Sequence, residues 1–315
     1  MKKVAVIEGG YSGEKSISIK SAKTVFDNLD RTKFDPVRVL IDEKDWTAYD
    51  EEGRYLIDKN DFSFIKNSQK FLFEYAFILI HGTPGEDGKL QGYLDMVGIP
   101  YNTSSAAIMA LTFQKFHCNQ FLKNFNINVP EAVLIKPEDT INKKQILAKV
   151  NLPCFVKPTD GGSSFGVTKL KTDNDLHPAI KEAFKHGTEV IVEENIEGRE
   201  VTCGAYRDIE EIKVLSVTEI ISENEYFDYD AKYNGKSNEI TPADLVKEMT
   251  TKIQSLTKEI YGILGMKGIA RIDYIISKDN VPYLIEINSV PGMSKESIVP
   301  QMVNSSKLSL KDIIL

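Results

Sequence analysis

Four polar side chains near the carboxyl end of the chain have the residue types and the spacing of a metal–phosphate site. They lie in two segments with strand-like alternation, ARIDYIIS and VPYLIEINS, which Lys-Asp-Asn separates, so the pattern predicts a β-hairpin. If Asp279–Asn280 is a two-residue turn, Asp273 lies opposite Glu286. Arg271 then lies opposite Asn288 in the same ladder. Because side chains alternate along a strand, all four project from one face of the hairpin.

This face favours a bound cation for an electrostatic reason. Two opposed carboxylates with Cβ atoms about 5 Å apart repel each other unless a positive charge lies between them. Mg²⁺ binds oxygen ligands and usually lies between one or two carboxylates and the phosphates of a substrate. A solvated face is the alternative, but the opposite face is apolar; its predicted residues are Ala270, Ile272, Tyr274, Ile276, Tyr283, Ile285 and Ile287. The pattern therefore favours a metal–phosphate site.

A glycine-rich loop between two strands is a second candidate for phosphate binding. In LPCFVKPTDGGSSFGVTKL, one strand ends at Lys157 and another is predicted over 167–170. Backbone amides and serine hydroxyls of such a loop can surround phosphate oxygens. The segment lacks the P-loop sequence G-x-x-x-x-G-K-[ST], and no helix follows it directly. We therefore expect a flap between antiparallel strands, with an ordinary hairpin as the alternative.

The amino-terminal half contains two loops that are placed to meet a ligand. A buried strand over 3–9 is followed by Gly-Tyr-Ser-Gly and a helix over 14–29, which has Glu14 at its start. The dinucleotide fingerprint G-x-G-x-x-G is absent, which disfavours a dehydrogenase, and Glu14 could simply interact with the helix dipole. A second buried strand, over 76–80, ends in HGTPGEDG. His81 thus follows the carboxyl end of a strand, where ligands bind in open α/β sheets.

Three further segments have weaker signals. A helix is predicted over 106–124, and its Lys115 by itself is no more than a solvated lysine. A strand that ends in Glu-Glu-Asn-Ile offers acceptors for a base and a ribose, although surface glutamates are common; these acceptors are Glu193, Glu194 and Glu200. The segment 222–242 is long, polar and rich in tyrosine, which is typical of an active-site lid.

Length and composition limit the class of protein. A chain of 315 residues exceeds one ordinary domain, so two or three domains are expected. The net charge of −7 disfavours a nucleic-acid partner. The longest apolar runs are strand-length, far below the roughly 20 residues of a membrane span, and the amino-terminal run is too short for a signal peptide. The three cysteines lack metal-ligand spacing, so reduced thiols in a cytoplasm are expected.

Seven motifs in order give the chain a resemblance to the D-alanine–D-alanine ligases of the ATP-grasp superfamily. They are GGYSGEKSIS, HGTPGEDG, FVKPTDGGSSFGV, VIVEENIEGREVT, FDYDAKY, ARIDY and EINSVPGMSKESIVP, and they span nearly the whole chain. The resemblance implies an α/β (α+β) ATP-grasp fold in which two antiparallel sheets enclose the nucleotide. Three domains are implied: a Rossmann-like domain over 1–102, a central subdomain with the flap over 103–196, and a carboxyl-terminal subdomain over 197–315 with the lid and the metal site.

The resemblance also implies a role for each candidate residue of the nucleotide site. Lys115 and Lys157 would bind ATP phosphates beneath the flap residues Ser163 and Ser164, and Lys232 would meet the γ-phosphate. Adenine would contact Glu193, Glu194 and Ile196, whereas Glu200 would bind the ribose. Two Mg²⁺ ions, for which Mn²⁺ can substitute, would be bound by Asp273, Glu286 and Asn288, in agreement with the register argument.

The implied amino-acid site draws on all three domains. Glu14 would bind the ammonium of the first D-alanine, and His81 would lie near its carboxylate. Arg271 and the Gly292 amide would polarise the reacting carboxyl, and the second D-alanine would be bound by Ser297 and Ile298. A hydrogen-bonded set would link the domains through Glu14, Ser163 and Tyr233.

The implied activity is ATP-dependent ligation of two D-alanines, through an acyl phosphate, for peptidoglycan precursor synthesis. The resemblance further implies a cytoplasmic homodimer without nucleic-acid or membrane partners. One alternative is another ATP-grasp carboxylate–amine ligase that uses a different amino-acid pair. The other is a non-catalytic nucleotide-binding module, which we would expect to lack one of Asp273, Glu286, Asn288 or Arg271; all four are present.

Overall fold

The computed structural model describes residues 1–162, 165–209, 211–222 and 237–314. Most of the predicted lid, together with four candidate site residues, therefore lies outside the described residues; the four are Ser163, Ser164, Lys232 and Tyr233.

The amino-terminal part contains a five-stranded mixed sheet. Its elements are β1 (Lys2–Gly9), α1 (Lys15–Asn28), β2 (Phe34–Ile41), β3 (Trp46–Tyr49), β4 (Arg54–Leu56), the small hairpin of β5 (Phe64–Lys66) and β6 (Gln69–Phe71), β7 (Tyr75–Ile78) and α2 (Lys89–Val97). The strand order is β4-β3-β2-β1-β7, and β1 is parallel to both of its neighbours. The apolar residues of β1 are fully buried, as expected for a central strand that is covered on both faces.

The central part contains a four-stranded antiparallel sheet with its own core. Its elements are α3 (Ala106–Phe113), α4 (Lys115–Lys123), β8 (Ala132–Ile135), α5 (Lys143–Val150), β9 (Cys154–Pro158), β10 (Thr168–Leu170), a 3-10 turn (Asp173–Asp175), α6 (Leu176–Ala183) and β11 (Val190–Glu194). The strand order is β10-β9-β11-β8. The apolar side chains of α5 and α6 pack against this sheet, so the opposite face is turned toward the rest of the molecule.

The carboxyl-terminal part contains a five-stranded antiparallel sheet. Its elements are β12 (Gly198–Asp208), β13 (Glu211–Ser222), β14 (Ser237–Ile240), α7 (Lys247–Ile263), β15 (Ala270–Ser277), β16 (Pro282–Asn288), α8 (Ile298–Ser305) and α9 (Leu310–Ile314). The strand order is β14-β13-β12-β15-β16. Mixed and antiparallel sheets in this order agree with the predicted α/β (α+β) class. Among the described residues, no helix has the length and apolarity needed to cross a bilayer.

The pairing predicted for the hairpin of β15 and β16 is confirmed, but the predicted turn is wrong. Asp273 pairs with Glu286, and Arg271 pairs with Asn288. The loop has three residues rather than two, because Ser277 pairs with Val281 across residues 278–280. A register shift after Asp273 compensates for the extra loop residue, so the two errors cancel at the predicted site.

The same register shift changes which side chains of β16 face the core. Leu284 is fully buried in the cluster that includes Ile272 and Tyr274. The prediction that Tyr283 and Ile285 belong to this apolar face is therefore wrong. Ile285 instead lines a cavity on the other side of the sheet.

The helix predicted over 106–124 is broken at Gln114. The backbone amide of Lys115 donates to the Thr159 carbonyl at 2.9 Å, and that of Phe116 donates to Thr159 Oγ1 at 3.2 Å. Because these amides bond to the loop that follows β9, the helical ladder stops at Gln114 and restarts as α4. Lys115 is thereby placed in the first turn of α4, beside the glycine-rich loop.

A shared apolar core joins the first sheet to the carboxyl-terminal part. The side chains of Val6 and Val25 belong to the same buried cluster as Leu215, Met302 and Val303. The central sheet has a separate cluster between its strands and α5 and α6. The first and last parts of the chain are thus packed as one body, whereas the central sheet has an independent core.

Candidate active site

Two adjoining cavities open along the inner faces of the sheets. The first, about 160 Å³, lies between the central and carboxyl-terminal sheets. The second, about 540 Å³, extends from the hairpin of β15 and β16 to the start of α1. Both are lined by Lys115, Gly161, Gly162 and Glu286. A ligand in the first cavity can therefore reach a ligand in the second at this junction.

The first cavity is suited to a flat, mostly apolar ring with a polar edge. Apolar walls come from Phe155 and Val167 on one side and from Ile275 and Ile285 on the other. The sequence-predicted residues of the base and ribose site all line it; these are Glu193, Glu194, Ile196 and Glu200.

Both predicted phosphate lysines lie at the cavity wall, and each already has a protein partner. Lys157 Nζ lies 2.6 Å from Glu193 Oε1, because the side chains of antiparallel β9 and β11 share this face. Lys115 Nζ donates to the Gly161 carbonyl at 2.6 Å and lies 3.3 Å from Glu286 Oε2. Both ammonium groups therefore line the first cavity, each beside a carboxylate that a bound phosphate would compete with.

Asp273 orients the guanidinium of Arg271. Two hydrogen bonds of 2.9 Å join Arg271 to the two carboxylate oxygens, in the bidentate geometry that fixes a guanidinium plane. Thr202 Oγ1 donates to Asp273 Oδ1 at 2.5 Å, and Asn288 Nδ2 donates to Asp273 Oδ2 at 2.9 Å. Thr202 was not predicted from the sequence, because its position opposite Asp273 depends on the pairing of β12 with β15.

The residues of the predicted metal site have a donor set that fits Mg²⁺. Asp273 and Glu286 are opposed carboxylates that both line the first cavity, as the sequence predicted. The side-chain nitrogen of Asn288 donates to Asp273, so the side-chain carbonyl oxygen of Asn288 is the atom available to a cation. Within the described ranges, no group of three or more His, Cys, Asp and Glu could hold a metal. The set is therefore two carboxylates and a carboxamide, which leaves coordination positions for phosphate oxygens. The Asp273 oxygens already accept four hydrogen bonds, so a cation bound there would replace at least one of them.

Glu14 lies against the flap at one side of the second cavity. A Cβ atom built on Gly162 would lie 2.9 Å from Glu14 Oε2, so a larger residue there would displace the Glu14 carboxylate from its present position. Glu14 is also the residue that precedes the first turn of α1. Its carboxylate thus borders both the flap and the second cavity.

His81 is buried at the base of the second cavity. Its Nδ1 lies 2.7 Å from the Val290 carbonyl, and its Nε2 lies 3.4 Å from Ser21 Oγ. Because a carbonyl only accepts, Nδ1 carries the proton. Burial lowers the pKa of His81, which favours the neutral ring. His81 therefore connects the loop after β7 to the loop after β16.

Glu86 makes a second connection between the same two loops and was not singled out from the sequence. Its Oε2 accepts from the Gly82 amide at 2.7 Å, and its Oε1 accepts from the Val290 amide at 3.1 Å. Removal from solvent raises the pKa of Glu86 to about 7. Both backbone groups of Val290 are thus bonded to the loop after β7. The only sequence signal was an acidic residue in a loop at a strand end.

The loop after β16 and the start of α8 form the remaining wall of the second cavity. Ser297 Oγ lies against Gly292, where a Cβ atom would be only 2.7 Å away, and bonds to Ser294 Oγ at 2.9 Å. Ile298 begins α8, and the first amides of a helix lack partners within the helix. Such a helix start favours a carboxylate or another anion. Ser297 and Ile298 thus lie at the start of α8 on the wall of the second cavity, and their predicted contact with the second D-alanine stays a prediction.

Comparison with known proteins gives matches along nearly the whole chain. Family models described as "D-ala D-ala ligase N-terminus" and "D-ala D-ala ligase C-terminus" match residues 3–104 and 121–315. A "D-alanine--D-alanine ligase" from Porphyromonas gingivalis is 47% identical over 318 residues, covering 100% of this chain and 96% of its own length.

Solved structures match just as fully. The VanG D-Ala:D-Ser ligase from Enterococcus faecalis has a TM-score of 0.89 at 33% identity, covering 99% of this chain and 97% of its own. The D-alanine--D-alanine ligase from Bacillus anthracis complexed with ATP has a TM-score of 0.80 at 25% identity, covering 100% and 95%. These matches confirm the predicted fold.

Proposed function

The chain belongs to the D-alanine–D-alanine ligase family, and we propose which of its residues carry out the reaction of this ATP-dependent, ADP-forming ligase. It joins two D-alanines for cell-wall synthesis. One observation carries the assignment of residues: the apolar cavity meets the polar cavity at Lys115, Gly161, Gly162 and Glu286. A nucleotide in the first would end its phosphate tail beside an amino acid in the second.

The nucleotide occupies the first cavity in this proposal. Glu193, Glu194 and Ile196 contact adenine, Glu200 binds the ribose, and Lys115 and Lys157 bind the phosphates. Ser163, Ser164 and Lys232 complete the phosphate contacts from segments outside the described residues. The positions of both lysines at the cavity wall support this assignment.

Asp273, Glu286 and Asn288 would hold two Mg²⁺ ions, or Mn²⁺ in their place. When bound, the cations neutralise charge on the phosphates, which is the main electrostatic requirement of phosphoryl transfer. The protein contributes two opposed carboxylates and the Asn288 carbonyl oxygen. It also contributes Lys115, whose ammonium lies 3.3 Å from Glu286.

The first D-alanine would bind in the second cavity with its ammonium at Glu14 and its carboxylate near His81, Arg271 and the Gly292 amide. ATP transfers its γ-phosphoryl group to that carboxylate, which gives an acyl phosphate. Catalysis of this step is mainly positioning and charge neutralisation, since the protein forms no covalent bond. Glu14, Ser163 and Tyr233 would form the hydrogen-bonded set that closes the three domains around the substrates and excludes water.

The second D-alanine would bind with its carboxylate at Ser297 and Ile298. Its amine attacks the acyl phosphate, and the negative charge on the tetrahedral oxygen is met by Arg271 and the Gly292 amide. Oxyanion contacts of this kind contribute about 3–4 kcal/mol to lowering a barrier. Asp273 supports this role because it holds the guanidinium by two bonds. Phosphate then leaves as the dipeptide forms.

Three statements about the whole protein belong to the same proposal. The three domains are 1–102, 103–196 and 197–315, and the enzyme works as a homodimer in the cytoplasm. The free, buried state of all three cysteines fits a reducing compartment; these are Cys118, Cys154 and Cys203.

Mass spectrometry of the products from ATP, Mg²⁺ and D-alanine tests the function. We expect D-alanyl-D-alanine with equal amounts of ADP and phosphate, and no dipeptide when ATP is omitted. D-serine belongs in the same assay, because a structural neighbour with a TM-score of 0.89 is a D-Ala:D-Ser ligase. A preference for D-serine over D-alanine as the second substrate would contradict the proposal.

A further inference from the structure

The second cavity contains a carboxylate to which the mechanism above assigns no role. Five glutamates line this cavity among the described residues: Glu14, Glu86, Glu239, Glu286 and Glu296. Glu14 and Glu286 already have proposed ligands. Glu86 accepts two backbone amides, and Glu296 is exposed to solvent. Glu239 remains.

Glu239 is fixed to the helix that is proposed to bind the second D-alanine. It lies in β14, opposite Ile220 of β13, and its Oε2 accepts from Gln301 Nε2 at 2.8 Å. Gln301 lies one turn after Ile298 in α8, and its side chain also donates to the Glu296 carbonyl at 3.3 Å. The Glu239 carboxylate is therefore hydrogen-bonded to α8, the helix whose first turn forms one wall of the second cavity.

The electrostatic surroundings of Glu239 suit a group that exchanges a proton with a bound ammonium. Burial raises the pKa of Glu239, and the positive charge of Arg271 opposes this rise. Arg271, Glu14, Glu296 and Lys20 are charged groups that line the same cavity. A half-buried carboxylate near Arg271 thus faces the space between the oxyanion contacts and the start of α8.

We propose that Glu239 binds the ammonium of the second amino acid and takes its proton as the amine attacks. This inference rests on the proposed function, because it requires an acyl phosphate at Arg271. The proton passes from nitrogen to a Glu239 oxygen, and the freed electron pair of nitrogen forms the bond to the carbonyl carbon. The carbonyl π pair moves onto oxygen as this bond forms. When that pair returns, the carbon–oxygen bond to phosphate breaks, and phosphate leaves with the electron pair of the broken bond and takes up the second proton that the nitrogen loses as the amide forms.

Glu239→Gln is the variant that tests this role, because the new carbonyl oxygen can still accept from Gln301 while the charge is lost. We expect the KM for D-alanine at the second subsite to rise about tenfold, as for loss of a charge-assisted hydrogen bond. The kcat for dipeptide should fall roughly 100-fold, the lower range for loss of a general base. Glu138→Gln, at an exposed carboxylate that lines neither cavity, is the matched control and should retain wild-type kinetics.

The first half-reaction separates this inference from the proposed function. Exchange of the β,γ-bridge oxygen in oxygen-18-labelled ATP, driven by D-alanine, reports reversible formation of the acyl phosphate. We expect Glu239→Gln to retain this exchange, and Gln301→Met to weaken only the second subsite. No exchange in the wild-type enzyme would contradict the proposed function itself.

Two results would overturn the role of Glu239 alone. One is second-subsite KM and kcat values in Glu239→Gln within about twofold of wild type, which is too small for a lost charge contact. The other is equal loss of oxygen exchange and dipeptide formation in Glu239→Gln, because a base for the second step is not needed in the first. Either result would leave the ligase assignment intact.

Discussion

Several side chains of the candidate site act by holding other protein groups. Asp273 holds the Arg271 guanidinium, and Thr202 in turn donates to Asp273. Glu86 holds the amide of Val290. Because such networks are strong only while every member is satisfied, each loss is expected to change geometry as well as charge. We therefore expect the rate of the reaction to depend on Thr202 and Glu86, which hold other protein groups.

Glu286→Gln should abolish ATP-dependent ligation while the fold stays intact. The substitution removes one negative charge from the proposed metal site and from the 3.3 Å contact with Lys115, but no core packing. ADP release with D-alanine measures activity, and thermal unfolding measures the fold. Glu211→Gln, at a surface ion pair with Lys213, is the matched control. Near-normal turnover in Glu286→Gln would refute the metal assignment.

Glu86→Gln should remove one component of the pH dependence of stability. The pKa of Glu86 is about 7 in the folded protein against 4.5 as its ordinary value. Between these values the folded state binds more protons than the unfolded state. The contribution is therefore present in full below 4.5 and is lost as the pH rises through 7.

Urea unfolding at about pH 5 and about pH 8 measures this effect as a difference between wild type and variant. The wild type should lose more of its free energy of unfolding than Glu86→Gln over this interval. The variant should also be less stable by about 1–3 kcal/mol, because its amide nitrogen faces a backbone donor. Glu51→Gln, in an exposed turn, should behave as the wild type does. Parallel pH profiles for wild type and Glu86→Gln would contradict this expectation.

The roles of single residues could be predicted from the sequence only where their partners lie close to them along the chain. Asp273 and Glu286 could be predicted as opposed residues because their strands are joined by a short local turn, although the wrong turn length had to be offset by the register shift after Asp273. Glu86 could not be assigned a role, since its partner Val290 follows more than two hundred residues later. The role of Thr202 could not be predicted for the same reason, because its bond to Asp273 requires the pairing of two strands that are distant in the chain.

At the scale of elements, the hairpin of β15 and β16 combines a three-residue loop with a register shift. Asn280 has a φ of 60°, and this left-handed conformation closes the loop. Alternation predicted the strands and their polar face, but turn composition did not distinguish a two-residue loop from a three-residue one. The break of the predicted helix at Gln114 could not be predicted from the sequence either, because it depends on hydrogen bonds to Thr159.

Asn280→Ala should lower the free energy of unfolding by about 1 kcal/mol, because asparagine tolerates a left-handed backbone better than alanine does. Asn280→Gly should be close to wild type, since glycine adopts this conformation without a steric penalty. Urea denaturation measures both variants, and dipeptide formation should be unchanged in each. Equal stabilities for Asn280→Ala and Asn280→Gly would show that the turn conformation does not limit stability.

At the scale of the whole molecule, the chain folds back so that its first and last parts share one core. Val6 of β1 and Met302 of α8 belong to the same buried cluster. The motifs predicted the kinds of elements and their order, but apolar periodicity alone could not show which faces meet across such a distance. The central sheet, with its own core, is the part that could be recognised as separate from local patterns.

Met302→Ala should destabilise the amino-terminal sheet as well as the helix that contains it. The side chain is fully buried, and truncation of a buried methionine costs about 2–5 kcal/mol. Fluorescence of Trp46, the single tryptophan, reports on the amino-terminal sheet, where its ring contacts Phe62 and Tyr93. Its transition should move together with the far-ultraviolet circular dichroism. An unchanged Trp46 transition would indicate that the two ends unfold independently.

The bonds of Val290 have a consequence for how substrates enter. Its amide and its carbonyl are both bonded to the loop after β7, so the outer two parts of the chain cannot swing apart without losing both contacts. The glycine-rich loop belongs to the central sheet, which lacks such a clamp among these bonds. We therefore expect ATP to enter and the dipeptide to leave by movement of the central sheet against the other two sheets.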